Sequence, residues 1–349
     1  MSSFNQDRNE IAATLSRLAA VLLEYSQKNA KLGIFPHARA DGDALGAALS
    51  LTLALQQLGA SATVFTDEEL APSLKFLPGT DNVSVYRDEK SEQQLDFVIA
   101  VDLNSPDRLE RREEFFMKTE QYALIDHHVR KQENKGLELV YTKASSTCEL
   151  VFRLIEELET LSSQKLFNDD IATLLIAGLM TDTGRFSYNN TTPRGLRQTA
   201  WLIEEFNVNL STLTHELFER TTVTQLQIRG DIFASMRLEA GGRILLAAVS
   251  RDMMDQRGAR DDDLDYLSSE MREADGVDVS ILLRESPDRS EIQASVRSNS
   301  CLDAAAFSKH FGGGGHVRAA GFTLEDVSLA EAETLALAQA EIMLDQCKL

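Results

Sequence analysis

The chain has 349 residues, with 35 Lys+Arg against 55 Asp+Glu and a formal net charge of −20. That length corresponds to roughly two domains of about 150 residues, and 43% apolar with 26% charged residues argues against a disordered or fibrous chain. Such acidity also argues against a broad basic surface for long duplex DNA. It leaves room for small anions held through metal ions or a few placed arginines.

Residues 5–30 read as an amphipathic helix, with Ile11, Leu15, Leu18 and Leu22 at helical spacing. The apolar run at 18–23 is too short to span a bilayer, and no basic segment or cleavage site precedes it. No membrane segment is expected. Cys148, Cys301 and Cys347 are far apart and form no C-x-x-C pair, so the expectation is no disulfide framework and a cytoplasmic location.

From residue 33 to about residue 192, short apolar runs (33–35, 62–65, 97–101 and 122–125) alternate with helical patterns. Residues 43–58 form one such helix, stopped by Gly59. Residues 145–158 open on Ser/Thr capping chemistry, and 169–180 are apolar on most sides, as in a buried helix. The alternation predicts an α/β fold with a mainly parallel sheet, whose sites lie at the carboxyl ends of the strands. Two helices, 193–206 and 210–218, then follow with no strand between them. Beyond them, strands at 243–249, 277–283 and 291–296 and helices at 263–274 and 301–311 predict a smaller α+β domain. The expected division is a catalytic domain over residues 1–192, a helical connector over 193–240 and a second domain over 241–349.

Asp and His gather just past the predicted strand ends. His37, Asp41 and Asp43 follow the first strand, Asp102 the third, and Asp126, His127 and His128 the fourth, while Asp182 follows the buried helix. Alone, Asp41-Gly42-Asp43 is an ordinary turn, and paired histidines are commonly incidental. Together at one sheet edge, carboxylates and imidazoles are costly without a cation. A mixed oxygen and nitrogen donor set suits Mn, Fe, Co or Zn better than calcium.

The residues resemble the DHH family of phosphoesterases over almost the full length. Asp126-His127-His128 matches the motif that names the family. His37-x-x-x-Asp41-x-Asp43-Ala44-x-Gly46 is similar to its first motif, Asp102 to its second and Thr181-Asp182-Thr183-Gly184-x-Phe186 to its fourth. Ala40 and Ala47 depart from the usual proline and serine at non-ligand positions. The segment Gly312-Gly313-Gly314-Gly315-His316-Val317-Arg318-Ala319-Ala320-Gly321-Phe322 resembles the signature of the associated DHHA1 domain, and Arg297-Ser298 its Arg-Ser pair.

The resemblance implies two divalent ions, usually manganese, one held by His37, Asp41 and Asp102 and the other by Asp43, Asp102, His127 and Asp182. His128 would face the substrate phosphate, and Asp126 would orient a ligating histidine. Two ions about 4 Å apart lower the pKa of a bridging water and brace an in-line attack on phosphorus. Arg297, Ser298, Gly313, Gly314, Gly315, His316 and Arg318 would hold the substrate, with backbone N–H groups and a guanidinium suited to an anion. Arg318 is either a substrate contact or a solvated surface residue, and Tyr188 is either a base-stacking ring or packing.

The implied architecture sets the small domain across a cleft from the metal site. The implied substrates are very short RNA, cleaved to mononucleotides, and 3′-phosphoadenosine 5′-phosphate (pAp), with no role for long duplex DNA. A homodimer is implied by family resemblance alone. Two readings stay open beside this one: a cyclic-di-AMP or pApA phosphodiesterase with the same motifs, and a non-catalytic nucleotide sensor. A family II pyrophosphatase lacks the Gly-rich segment and ranks lower.

Overall fold

Continuous apolar runs become the central strands of a parallel sheet because such strands are buried on both faces. The computed structural model describes residues 2–87, 93–129, 135–264, 267–299 and 301–347. It divides into two compact units, residues 1–220 and 221–349.

The first unit holds six strands, β1 (Lys31–Pro36), β2 (Ser61–Thr66), β3 (Val83–Val85), β4 (Phe97–Val101), β5 (Tyr122–Asp126) and β6 (Leu137–Val140). All pairs are parallel, in the order β3-β2-β1-β4-β5-β6. The strand order reverses between β1 and β4, and ligands of open α/β sheets bind in the crevice at such a point. The helices are α1 (Ser2–Gln27), α2 (Gly42–Gln57), α3 (Glu113–Met117), α4 (Thr147–Ser162), α5 (Asp169–Asp182), α6 (Pro193–Glu205) and α7 (Leu210–Thr214). Residues of α1, α2, α4 and α5 share the larger core on one face. On the other, Phe35 and Phe65 pack with Phe115 and Phe116 of α3.

The second unit contains α8 (Val223–Ser235), β7 (Arg237–Glu239), β8 (Ile244–Val249), α9 (Arg251–Arg257), α10 (Leu267–Arg272), β9 (Val279–Glu285), β10 (Glu291–Ser298), α11 (Ala304–His310), β11 (Gly314–His316), β12 (Ala319–Glu325) and α12 (Leu329–Gln346). Its sheet runs β11-β12-β10-β9-β8-β7. Only β8 and β9 pair in parallel. Part of the Gly-rich segment is therefore an edge strand rather than a loop.

The two helices expected as a connector, seen as α6 and α7, both lie in the first unit, while α8, which the pattern did not signal, lies in the second. Trp201 of α6 sets its ring edge-on to Phe152 and Phe167 at 5.4 and 5.2 Å, which fixes α6 to the first unit. Ile228 and Ile232 of α8 are buried in the second unit's core. The cysteine expectation fails: Cys301, just before α11, is disulfide-bonded to Cys347 after α12, and Cys148 alone is free. The long separation concealed the pair, because the fold returns the end of α12 to the start of α11. The cysteine argument for a reducing compartment falls with it. Among the described residues, no helix is long and apolar enough to cross a membrane.

Candidate active site

The switch-point edge of the parallel sheet gathers all eight of the expected acidic and histidine residues. His37 leaves β1, Asp102 leaves β4, Asp126 ends β5, and His127 and His128 follow it. Asp41 caps α2, its Oδ1 accepting the N–H groups of Asp43 and Ala44 at 3.0 Å. Asp182 closes α5.

Asp102 stands at the centre. Its Oδ2 lies 3.4 Å from His37 Nε2, and its Oδ1 lies 3.6 Å from His127 Nε2. His37 Nε2 is also 3.7 Å from Asp41 Oδ1, and His127 Nε2 is 3.5 Å from Asp182 Oδ2. Three donor groups result, His37/Asp41/Asp102, Asp43/His127/Asp182 and Asp102/Asp126/His127/His128, each with its ligand atoms within 4.8 Å of one another. Asp102 sits in the left-handed region with φ +61, a conformation that costs a non-glycine residue about 1 kcal/mol or more and persists where function demands it.

The electrostatics fit a cation. Asp43 is fully buried, and burial together with Asp102, Asp182 and Asp41 pushes its carboxyl well above the usual carboxylate range. Burial likewise lifts Asp182 to about 6 against the opposing pull of His127. Burial disfavours charge on His37, but Asp102 and Asp41 outweigh it and hold its imidazole up at about 10. His127 Nε2 is buried without a hydrogen-bond partner, aimed between Asp102 and Asp182. A lone pair in that position, among three or more carboxylates, is the donor arrangement of a divalent ion. The ring nitrogens on the far side rest on backbone carbonyls: His37 Nδ1 is 2.8 Å from Ala38 O and His127 Nδ1 is 3.4 Å from Ala144 O. With each Nδ1 as the donor, the neutral ring would turn its Nε2 lone pair toward the site, the form a bound cation requires.

Asp126 has a different task. Its Oδ1 accepts from His127 N, His128 N and His128 Nδ1 at 2.8, 3.2 and 2.8 Å. It therefore orients His128, the half-exposed imidazole, while its carboxylate also stands in the donor group with Asp102, His127 and His128. That hydrogen bond raises the His128 pKa.

Two positioning contacts had no signal in the motif pattern. Thr147, at the first turn of α4, donates its hydroxyl to Asp102 Oδ1 at 2.8 Å and its N–H to Asp43 Oδ2 at 2.6 Å. Cys148 N adds a bond of 2.9 Å to Asp43 Oδ1. The start of α4, read only as a cap, thus points its free N–H groups at a buried carboxylate. Asn190 donates to Asp182 Oδ2 at 3.1 Å while also binding the Ser145 carbonyl at 3.1 Å. The Tyr188 ring lies over Gly184 with 57% of the residue exposed.

Of the residues expected to hold substrate in the second unit, Arg297 and Gly313 line a cavity of about 640 Å³. Among the described residues Arg297 has no carboxylate partner and bonds only the Val296 carbonyl. Burial and nearby Arg272 lower its pKa. Ser298 is a correction. It alternates with Arg297 on β10 and therefore points into the core, its Oγ donating to Leu302 O at 2.6 Å. Gly314, Gly315 and His316 form β11, and Arg318 follows it on the exposed turn; none of the four lines that cavity.

Two domain families match the chain: the DHH family, N-terminal domain, over residues 31–179, and the DHHA1 domain over residues 241–344. The chain is 30% identical over 300 residues to the bifunctional oligoribonuclease and PAP phosphatase NrnA of Thermus thermophilus, covering 86% of each chain. It is 28% identical over 304 residues to the Bacillus subtilis protein of the same name, covering 86% of this chain and 92% of that one. In three dimensions it is similar to an exopolyphosphatase-related protein of Bacteroides fragilis, with TM-score 0.84 and 21% identity over 96% and 98% of the two chains. The chain belongs to the DHH family, with a DHHA1 domain as its second part.

Proposed function

We propose that the protein is a metal-dependent phosphoesterase that cleaves short oligoribonucleotides to mononucleotides and removes the 3′ phosphate of pAp. The carrying observation is Asp102, whose two carboxylate oxygens face two separate histidine-containing donor groups. His37, Asp41 and Asp102 would hold one divalent ion, and Asp43, Asp102, His127 and Asp182 a second, with manganese favoured by the mixed donor set. Such ions, when bound, supply positive charge at a phosphoryl group and acidify water at neutral pH.

The chain's own residues do the rest. Asp126 fixes the His128 ring through Nδ1, which leaves Nε2–H free to donate to a phosphate oxygen. Asp126 raises the His128 pKa, which favours the cationic imidazole, the form that would stabilise charge gathering on the phosphate. Thr147 and Asn190 lock the carboxylates so that they need not reorganise during the reaction. Arg297 would grip a terminal phosphate in two-point fashion. The substrate class, fragments of RNA breakdown, supports a cytoplasmic setting.

The test is a rate panel with manganese on pAp, pApA, cyclic-di-AMP, pyrophosphate and RNAs of two to ten nucleotides. The proposal expects pAp and two- to five-nucleotide RNA to lead. A tenfold preference for cyclic-di-AMP would replace it with the cyclic-dinucleotide reading, and nucleotide binding without any turnover would make the protein a sensor.

A further inference from the structure

Three carboxylates are completely buried among the described residues: Asp43, Asp126 and Glu149. The first two stand in the candidate active site. Glu149, in the first turn of α4, belongs to none of its donor groups. A buried carboxylate is costly unless its oxygens are satisfied, so its partners show its task.

Glu149 Oε2 accepts the Ser145 N–H at 2.9 Å, the Ser145 hydroxyl at 2.7 Å and the Thr192 hydroxyl at 2.6 Å. Its Oε1 lies 3.2 Å from Arg194 Nε. Gly195 brings no side chain to this point; a Cβ there would come within 2.7 Å of Ser145 Oγ. One carboxylate thus ties the residues leading into α4 to the first turn of α6.

Both segments brace the active site. On the first, the N–H groups of Thr147 and Cys148 hold Asp43, and the Thr147 hydroxyl holds Asp102. On the second, Asn190 donates to Asp182 Oδ2 and to the Ser145 carbonyl, so both ends of that bridge rest on residues fixed by Glu149. Asp43, Asp102 and Asp182 are the three carboxylates of the second ion group, while His37 and Asp41 stand outside these contacts. The position also demands Glu rather than Gln. The Ser145 N–H at one oxygen and the Arg194 guanidinium at the other have no acceptor to offer, so an amide would set its NH2 against one of them whichever way it turned.

We propose that Glu149 is a positioning residue for the second ion, its carboxylate setting the geometry of Asp43, Asp102 and Asp182 through Ser145, Thr147 and Asn190. The inference rests on the two-ion reading and adds to it a residue that touches neither ion nor substrate. Glu149→Gln keeps the volume and tests the acceptor. Calorimetry of the full chain with manganese should show one ion weakened by about tenfold or more and the other by less than about threefold. Replacing Arg194 by Met in the same chain frees the Oε1 side for the amide NH2 and should recover most of the loss, a rescue that space-filling alone would not give. Amide exchange in chelator needs no ion: Thr147 and Cys148 should exchange about tenfold faster in Glu149→Gln, with the core strands of the second unit unchanged. Should Glu149→Gln fail to fold, Ser145→Ala removes one hydroxyl from Oε2 and should weaken the same ion by about threefold. Unchanged affinity, equal weakening of both ions, a double variant no better than the single, or unaltered exchange at Thr147 and Cys148 would overturn the proposal. Failure of the phosphoesterase reading is seen separately, as no turnover of any nucleotide with these effects intact.

Discussion

The Thr147 hydroxyl donates to Asp102 Oδ1 at 2.8 Å, while the same residue's N–H binds Asp43 Oδ2 at 2.6 Å. One residue at the start of α4 thus holds two carboxylates, Asp102 just past β4 and Asp43 in the first turn of α2. Thr147→Val keeps the shape and removes the hydroxyl. Divalent-ion affinity measured by calorimetry should fall by about tenfold or more, the usual cost of losing a contact behind a metal ligand, and Thr147→Ser should restore most of it.

The protonation states set a pH dependence with a definite sign. In metal-free protein Asp182 rises from an ordinary 3.8 to about 6, so the folded form holds that proton more tightly. Its contribution is lost as pH rises from about 4 to about 6. His37 rises from 6.5 to about 10, and its contribution, full below 6.5, is lost as pH climbs toward 10. Ions displace both protons, so binding strengthens over the same range. Melting curves in chelator and in manganese between pH 5.5 and 8.5 should separate progressively as pH rises. A gap that stays constant or narrows would contradict these assignments.

Gly178 lets α5 approach α2 beside the site. A Cβ there would meet Cys148 Sγ and lie 2.8 Å from Asp43 Oδ1. Gly178→Ala should therefore destabilise the protein by about 1–3 kcal/mol, as overpacking does, and reduce ion affinity with it. Urea unfolding and calorimetry check the two effects together.

Strands 97–101 and 122–126 were legible because both faces are buried and the apolar run is unbroken. The Asp and His residues were legible because all but Asp182, which ends the buried helix α5, come after such a run. β3 and β6 were not, since they are short and mostly half-buried and carry no run. Thr147 and Asn190 were invisible because their partners across the fold are set by helix packing, with Asp43 104 residues away from Thr147. Ser298 was misassigned, yet alternation on β10 decides it: once Arg297 faces outward, its neighbour must face inward.

The cysteine pairing is open to direct titration. Cys301 and Cys347 are bonded and Cys148 is buried and free. Unreduced protein unfolded in guanidinium should release one reactive thiol, and reduction should release three while lowering stability by about 3 kcal/mol. Three thiols without reductant would refute the bond.

The central claim is that Asp102 joins two ion sites in one catalytic centre. Ion stoichiometry measured with turnover of a short RNA, on the unaltered chain and on Asp102→Asn, tests it most directly. The account predicts two manganese ions per chain, with loss of ordered binding and a fall in turnover of at least about a thousandfold in the variant. Near-normal turnover by Asp102→Asn, or a single ion in the fully active protein, would contradict it.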